Sequence, residues 1–131
     1  QGARVLLACR SQEKATAAQH KILQLHPDAD VDLVPLDLGN LDSVEAAAVH
    51  VDENEDRLDI LINNAGIMMT PREETADGFE SQFGVNHLGH FALTGLLLDK
   101  IRETPNARIV TVSSVESSTK RSSGDASSAL N

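Results

Sequence analysis

Five places along the chain carry residue types that could hold a ligand or act on one. An apolar run ends in Cys9-Arg10, where the guanidinium is a planar, multidentate donor suited to phosphate, or an ordinary surface arginine at the start of a helix. A second run ends in Asp37-Leu38; a carboxylate there can accept from an adenine amino group or cap the following turn. Asn63-Asn64-Ala65-Gly66 joins amides able to tie strand ends together to small residues that let a bulky ligand lie against the backbone. Phe79, Phe83, Asn86 and His90 recur at steps of 4, 3 and 4, one stripe of a helix. An amide on an otherwise buried face is either a structural hydrogen-bonder or a site residue. Gly89, beside this stripe, permits close packing. Ser113 and Ser114 could orient a substrate carbonyl or simply begin a turn. No Gly-x-Ser-x-Gly elbow surrounds them, so serine hydrolysis fits poorly. His87 and His90 have no Cys or acidic partner to complete a ligand set, and no metal site is expected.

Those residues need elements to position them. Ala3–Cys9 is apolar enough for a strand buried on both faces. Ser11 caps a helix bearing Ala15, Ala18, Ile22 and Leu25, with Pro27 just past its end. Val31–Asp37 reads as a second strand, placed at a sheet edge because Pro35 cannot donate to a ladder. Asn40 caps a helix with Leu41, Val44, Ala48 and Val51 on one face, and the acidic run Asp52–Asp56 closes it as a solvated end. Leu58–Asn63 is a third strand, a long helix spans about Ala76–Arg102, and Ala107–Ser114 is a fourth strand. This β-α-β-α-β-α-β order calls for a parallel sheet with helices on both faces, with ligands outside the carboxyl ends of the strands. Each candidate residue above except Asn86 and its helix neighbours sits at such an end. A free ribose 2′-hydroxyl is usually read by an acid near the first of these ends, and a 2′-phosphate by an arginine; Arg10 therefore favours NADP(H) over NAD(H).

The bulk composition narrows the classes. Twenty acidic residues against 11 basic ones give a net charge of −9, which argues against nonspecific nucleic-acid binding. No apolar run approaches the roughly 20 residues needed to cross a bilayer. A lone cysteine, Cys9, rules out an internal disulfide framework and fits the reducing cytoplasm. The chain contains no Trp and no Tyr, so a mechanism that needs a phenol must find it elsewhere. Its 131 residues suit one domain. Gln1 in place of Met suggests a start inside a longer protein. Residues 1–115 read as a partial dinucleotide-binding domain, and 116–131 as a flexible Ser-rich tail.

In order and spacing, Asn63-Asn64-Ala65-Gly66, Val85-Asn86-His87-Leu88-Gly89-His90-Phe91 and Ile109-Val110-Thr111-Val112-Ser113-Ser114 together resemble the short-chain dehydrogenase/reductase family over about residues 1–115. Ala8-Cys9-Arg10 and the stretch Asn86–Phe91 look most like its retinol-dehydrogenase and protochlorophyllide-reductase-like branch, which prefers NADP(H). The resemblance implies an α/β fold: a partial Rossmann-type, doubly wound parallel sheet lacking its first strand and C-terminal elements. It makes Ser114 the substrate-orienting hydroxyl, with Ser113 second, and Asn86 the asparagine that holds a proton-relay water. Arg10 would meet the 2′-phosphate, Asp37 and Leu38 the adenine end, and Asn64, Ala65 and Gly66 the rest of the cofactor. The implied reaction is hydride transfer between a nicotinamide and a small or lipophilic carbonyl or alcohol. The resemblance also implies a homo-oligomeric parent in the family's manner.

Two departures accompany the match. The family's glycine-rich Thr-Gly-x-x-x-Gly-x-Gly turn would precede Gln1. Its Tyr-x-x-x-Lys pair, which passes the proton, is absent; in the simplest members the tyrosine would fall near Ser127, and in this branch an insertion would carry it past Asn131. The isolated chain is expected to be inactive and poorly stable. The alternatives are a non-catalytic nucleotide-binding or scaffolding protein on the same fold, or an incomplete gene model. The absent first strand is central in the family's sheet, between the strands starting near Ala3 and Leu58. Those neighbours must pair directly or leave a gap with unpaired backbone groups.

Overall fold

The computed structural model describes residues 2–113. Strand β1 (Arg4–Cys9) runs parallel to β2 (Asp30–Pro35), with Arg4 opposite Asp30 and Cys9 opposite Pro35. The crossover between them is helix α1 (Gln12–Leu25), started by Ser11, whose Oγ accepts from the Lys14 amide at 3.3 Å. Ala15 is its buried residue, and Gln19 Nε2 donates to the Val31 carbonyl at 2.7 Å, pinning the helix to β2. Among the described residues Pro35 lies on a strand whose only ladder is with β1, an edge position that suits its missing N–H.

Helix α2 (Leu41–Asn54) begins at Asn40, whose Oδ1 accepts from the amides of Asp42 and Ser43. It buries Val44, Ala47, Ala48 and Val51. The acidic run at its end is more than a solvated terminus. Arg4 Nε donates to Glu55 at 2.9 Å while its other nitrogens reach Asp30 and Asp32, and Lys100 Nζ donates to the Glu55 carbonyl at 2.7 Å. Glu55 thus joins the starts of β1 and β2 to the end of α2.

Strand β3 (Ile60–Asn63) pairs in parallel with β4 (Arg108–Thr111). Between them the expected long helix is broken into pieces. Its start is later than Ala76, because Gly78 adopts φ 79°, a left-handed conformation that ends any helical run. A short turn, α3 (Ser81–Phe83), is capped by Glu80 and passes into a π-helical segment, Gly84–Gly89. Helices α4 (His90–Leu96) and α5 (Leu98–Glu103) follow. The π segment adds a residue to the turn and rotates everything after it. The stripe read from the sequence therefore does not hold: His90 is buried, whereas Phe83 is 52% exposed and stacks with His87, which in turn meets Phe91.

One hydrophobic cluster, including Val34 of β2, Leu36 and Leu38 just after it, Val44 and Val51 of α2, Leu93 of α4, Ile101 of α5 and Leu97 between those two helices, holds these elements together. Leu6 of β1 and Leu61 of β3 pack against it, so both strand pairs share one core. They do not share a ladder. β1 pairs with β2, β3 pairs with β4, and among the described residues no strand joins the two pairs. Of the two outcomes expected for β1 and β3, direct pairing or a gap, the described residues show the gap. The strands are correspondingly less covered than an interior parallel sheet would make them: Ile60 and Ile62 are 55% and 60% exposed, and β1 is not buried on both faces.

Candidate active site at the carboxyl ends of the strands

The π segment is the part of the molecule on which the site is assembled. On one side, Gly89 lies so close to Leu38 that a Cβ there would collide with the Leu38 carbonyl. Gly39 in turn faces the Val85 side chain. On the other side, the Asn86 side chain spans to the loop after β3. Its Oδ1 accepts from the Ile67 amide and its Nδ2 donates to the Ile67 carbonyl, both at 2.8 Å. The segment Gly84–Gly89 thereby bridges the carboxyl end of β2 and that of β3.

The Asn86 amide hydrogen-bonds in both directions to the backbone of Ile67, one residue past Gly66. A Cβ on Gly66 would stand 3.5 Å from Asn86 Oδ1. Asn64, Ala65 and Gly66 present an exposed backbone of small residues, a surface that fits the flat approach of a dinucleotide. Asn63 is different, being 5% exposed: Nδ2 donates to Thr94 Oγ1 at 3.0 Å, while buried Oδ1 has no partner. Its amide ties β3 to α4, the strand-tying role open to the first residue of the motif.

Asp37 is half-buried and caps the turn that follows it, with Oδ1 accepting from the Gly39 amide at 2.9 Å. Its own amide donates to Ser43 Oγ at 2.9 Å. The Leu38 side chain belongs to the core, so what it can offer a nucleotide is its main chain. Arg10 is exposed at the end of β1, immediately before the α1 cap, and no hydrogen bond links it to the other candidates among the described residues. Ser113 is exposed just beyond β4, whose ladder continues through the Val112 amide to the Asn63 carbonyl at 3.0 Å. Ser114 and the tail 116–131 lie outside the described residues.

Two contributors escape a reading by residue type. Ile67 acts through its backbone, which no side-chain pattern reveals. His90 is 8% exposed, and its Nδ1 lies 3.1 Å from the Asn86 carbonyl; its position four residues after Asn86 was the available signal. His87 is stacked between Phe83 and Phe91. A shallow groove between α2 and α4, lined by Leu41, Glu45, Phe91, Ala92, Gly95 and Leu96, contains none of the candidate residues.

The family model for short chain dehydrogenases matches residues 1–129. The chain belongs to this family. It is 49% identical over 114 residues to human (Homo sapiens) retinol dehydrogenase 13, covering 87% of this chain and 34% of that protein. To mouse (Mus musculus) retinol dehydrogenase 11 it is 48% identical, with 87% and 36% covered. Among solved structures, the alcohol dehydrogenase of the archaeon Thermococcus sibiricus complexed with 5-hydroxy-NADP superposes with a TM-score of 0.69. Identity there is 25%, over 84% of this chain and 47% of that one. The chain thus spans about a third of the length of these curated relatives. Within the family, these matches place the chain in the retinol-dehydrogenase-like branch. Among the described residues no helix is long and apolar enough to cross a membrane.

Proposed function

We propose that this chain supplies the nucleotide side of an NADP(H)-dependent oxidoreductase that moves hydride between nicotinamide and a small or lipophilic carbonyl or alcohol. The observation that carries this reading is the clamp from Asn86 onto Ile67 next to the exposed Asn64-Ala65-Gly66 backbone, on the same π segment whose Val85 meets Gly39 of the Asp37 turn. The bound cofactor supplies the hydride chemistry. Arg10 would meet the 2′-phosphate, Asp37 and the Leu38 main chain the adenine end, and Asn64, Ala65 and Gly66 the remainder. Ser114 would orient the substrate oxygen, with Ser113 second, and Asn86 would stand by the proton path. Relatives that bear the name retinol dehydrogenase, and a neighbour complexed with 5-hydroxy-NADP, support the substrate class and the cofactor. A homo-oligomeric parent and a cytoplasmic site of action belong to the same proposal.

Titration of the purified chain with NADPH and NADH, followed by nicotinamide fluorescence, tests it. NADPH is expected to bind more tightly, and Arg10→Ala to weaken NADPH by about tenfold, near 1.4 kcal/mol, while leaving NADH unchanged. Equal affinities, or an Arg10→Ala variant that binds NADPH as before, would remove the 2′-phosphate assignment. A second reading is a non-catalytic nucleotide-binding or scaffolding protein on the same fold, which a complete parent chain lacking both the glycine-rich turn and the Tyr-x-x-x-Lys pair would favour. Both readings expect no hydride transfer by these 131 residues alone. They part over the parent protein, where a Tyr-x-x-x-Lys pair and turnover would establish the enzyme.

A further inference from the structure

In an α-helix the His90 amide would donate to the carbonyl of Asn86, four residues back. Here the His90 amide donates to His87 instead, and the imidazole takes its place, with Nδ1 at 3.1 Å from the Asn86 carbonyl oxygen. A carbonyl can only accept, so Nδ1 must carry the hydrogen. In the neutral ring this fixes the Nδ1–H tautomer and leaves Nε2 as an acceptor. The residue is 8% exposed, and the bond is part-buried.

The Asn86 backbone that His90 grips belongs to the residue whose side chain grips Ile67 in both directions. The neighbour of His90, Gly89, is pressed on the Leu38 carbonyl. A connected path thus runs from the end of β2, through Gly89 and His90, to Asn86 and on to the loop after β3. We infer that His90 is a positioning residue: its Nδ1–H holds the Asn86 peptide in the π segment, so that the Asn86 amide can fix Ile67 and with it the Asn64-Ala65-Gly66 turn. The value of that turn to a cofactor rests on the proposed function, but the coupling itself does not.

Two measurements on the chain test the coupling. Long-range 1H–15N spectra of the unsubstituted protein at a pH where the ring is neutral should show His90 Nδ1 protonated and Nε2 bare. A bare Nδ1 would overturn the inference without any variant. Amide hydrogen exchange at Ile67 then reads the clamp, with the Leu36 amide, which donates to the Cys9 carbonyl at 3.1 Å, reporting global opening. His90→Phe keeps a ring and removes the donor, and Ile67 should exchange about tenfold faster while Leu36 is unchanged. His90→Asn places an amide nitrogen near the position of Nδ1 and should restore slow exchange. If His90→Phe leaves Ile67 protected, or if only ring-bearing variants protect it, the residue acts by filling space and the inference fails. If His90→Phe unfolds the chain, both amides accelerate together and the tautomer decides. Failure of NADPH to bind would sink the proposed function and leave these results untouched.

Discussion

Gly89 and Gly95 lie on the same helical stretch and have opposite surroundings. A methyl at Gly89 would meet the Leu38 carbonyl, a backbone group that cannot swing aside, whereas nothing stands within 4 Å of one at Gly95. Gly89→Ala is expected to destabilise the chain by about 1–3 kcal/mol, and Gly95→Ala to stabilise it by about 0.5–1 kcal/mol. Denaturant midpoints of the two variants check this, and an unperturbed Gly89→Ala would show that π segment and β2 do not meet so closely. At this scale the sequence was informative about kind and silent about partner. Asn86 could be recognised as an amide that needs satisfying, and Gly89 as a site of close approach. Which backbone satisfied Asn86 depended on a turn geometry that no side chain announces. Leu38 illustrates the reverse, since its neighbour Asp37 marks a strand end while its own side chain is core.

The element that escaped prediction is the break in the long helix. Helical spacing from Ala76 onward is compatible with one continuous rod, and no proline interrupts it. The interruption comes from tertiary contact: Gly84 and Gly89 pack against Thr75 and Leu38, and an extra residue is accommodated between them. By contrast α1 and α2 start where Ser11 and Asn40 said they would, because an N-cap is a local hydrogen bond written in one residue. The short helix α3 has a cap of the same kind that titrates. Glu80 accepts from the amides of Gln82 and Phe83 at 2.9 and 2.8 Å, and these bonds hold its carboxyl below the usual glutamate range. A lowered folded value means the stabilisation is complete above the ordinary glutamate range and is lost as pH falls through the folded value. Exchange at the Gln82 and Phe83 amides, corrected for its intrinsic pH dependence, should accelerate as the solution is acidified through that window. Glu80→Gln should remove the pH response.

Across the whole molecule, the order of strands and crossovers was readable from alternating periodicity, and Pro35 placed its strand at an edge. Whether the strands formed one ladder was not readable, because parallel pairing depends on what lies between neighbours rather than on the strands themselves. Among the described residues the arrangement leaves two parallel pairs over a common core, with β1 and β3 each lacking a ladder on one side. Rows of unspent amide and carbonyl groups, flanked by half-uncovered Val5, Ile60 and Ile62, form a template onto which another extended backbone can add. What opposes such growth is mutual repulsion between chains, each with a net charge of −9, and that repulsion shortens its reach from about 30 Å at 0.01 M salt to about 10 Å at 0.1 M. Colloidal behaviour therefore follows from the gap in the sheet: light scattering from the purified chain should stay low at millimolar ionic strength and rise as salt is added. A chain that remains monomeric through that series would have those edges shielded from its neighbours in solution.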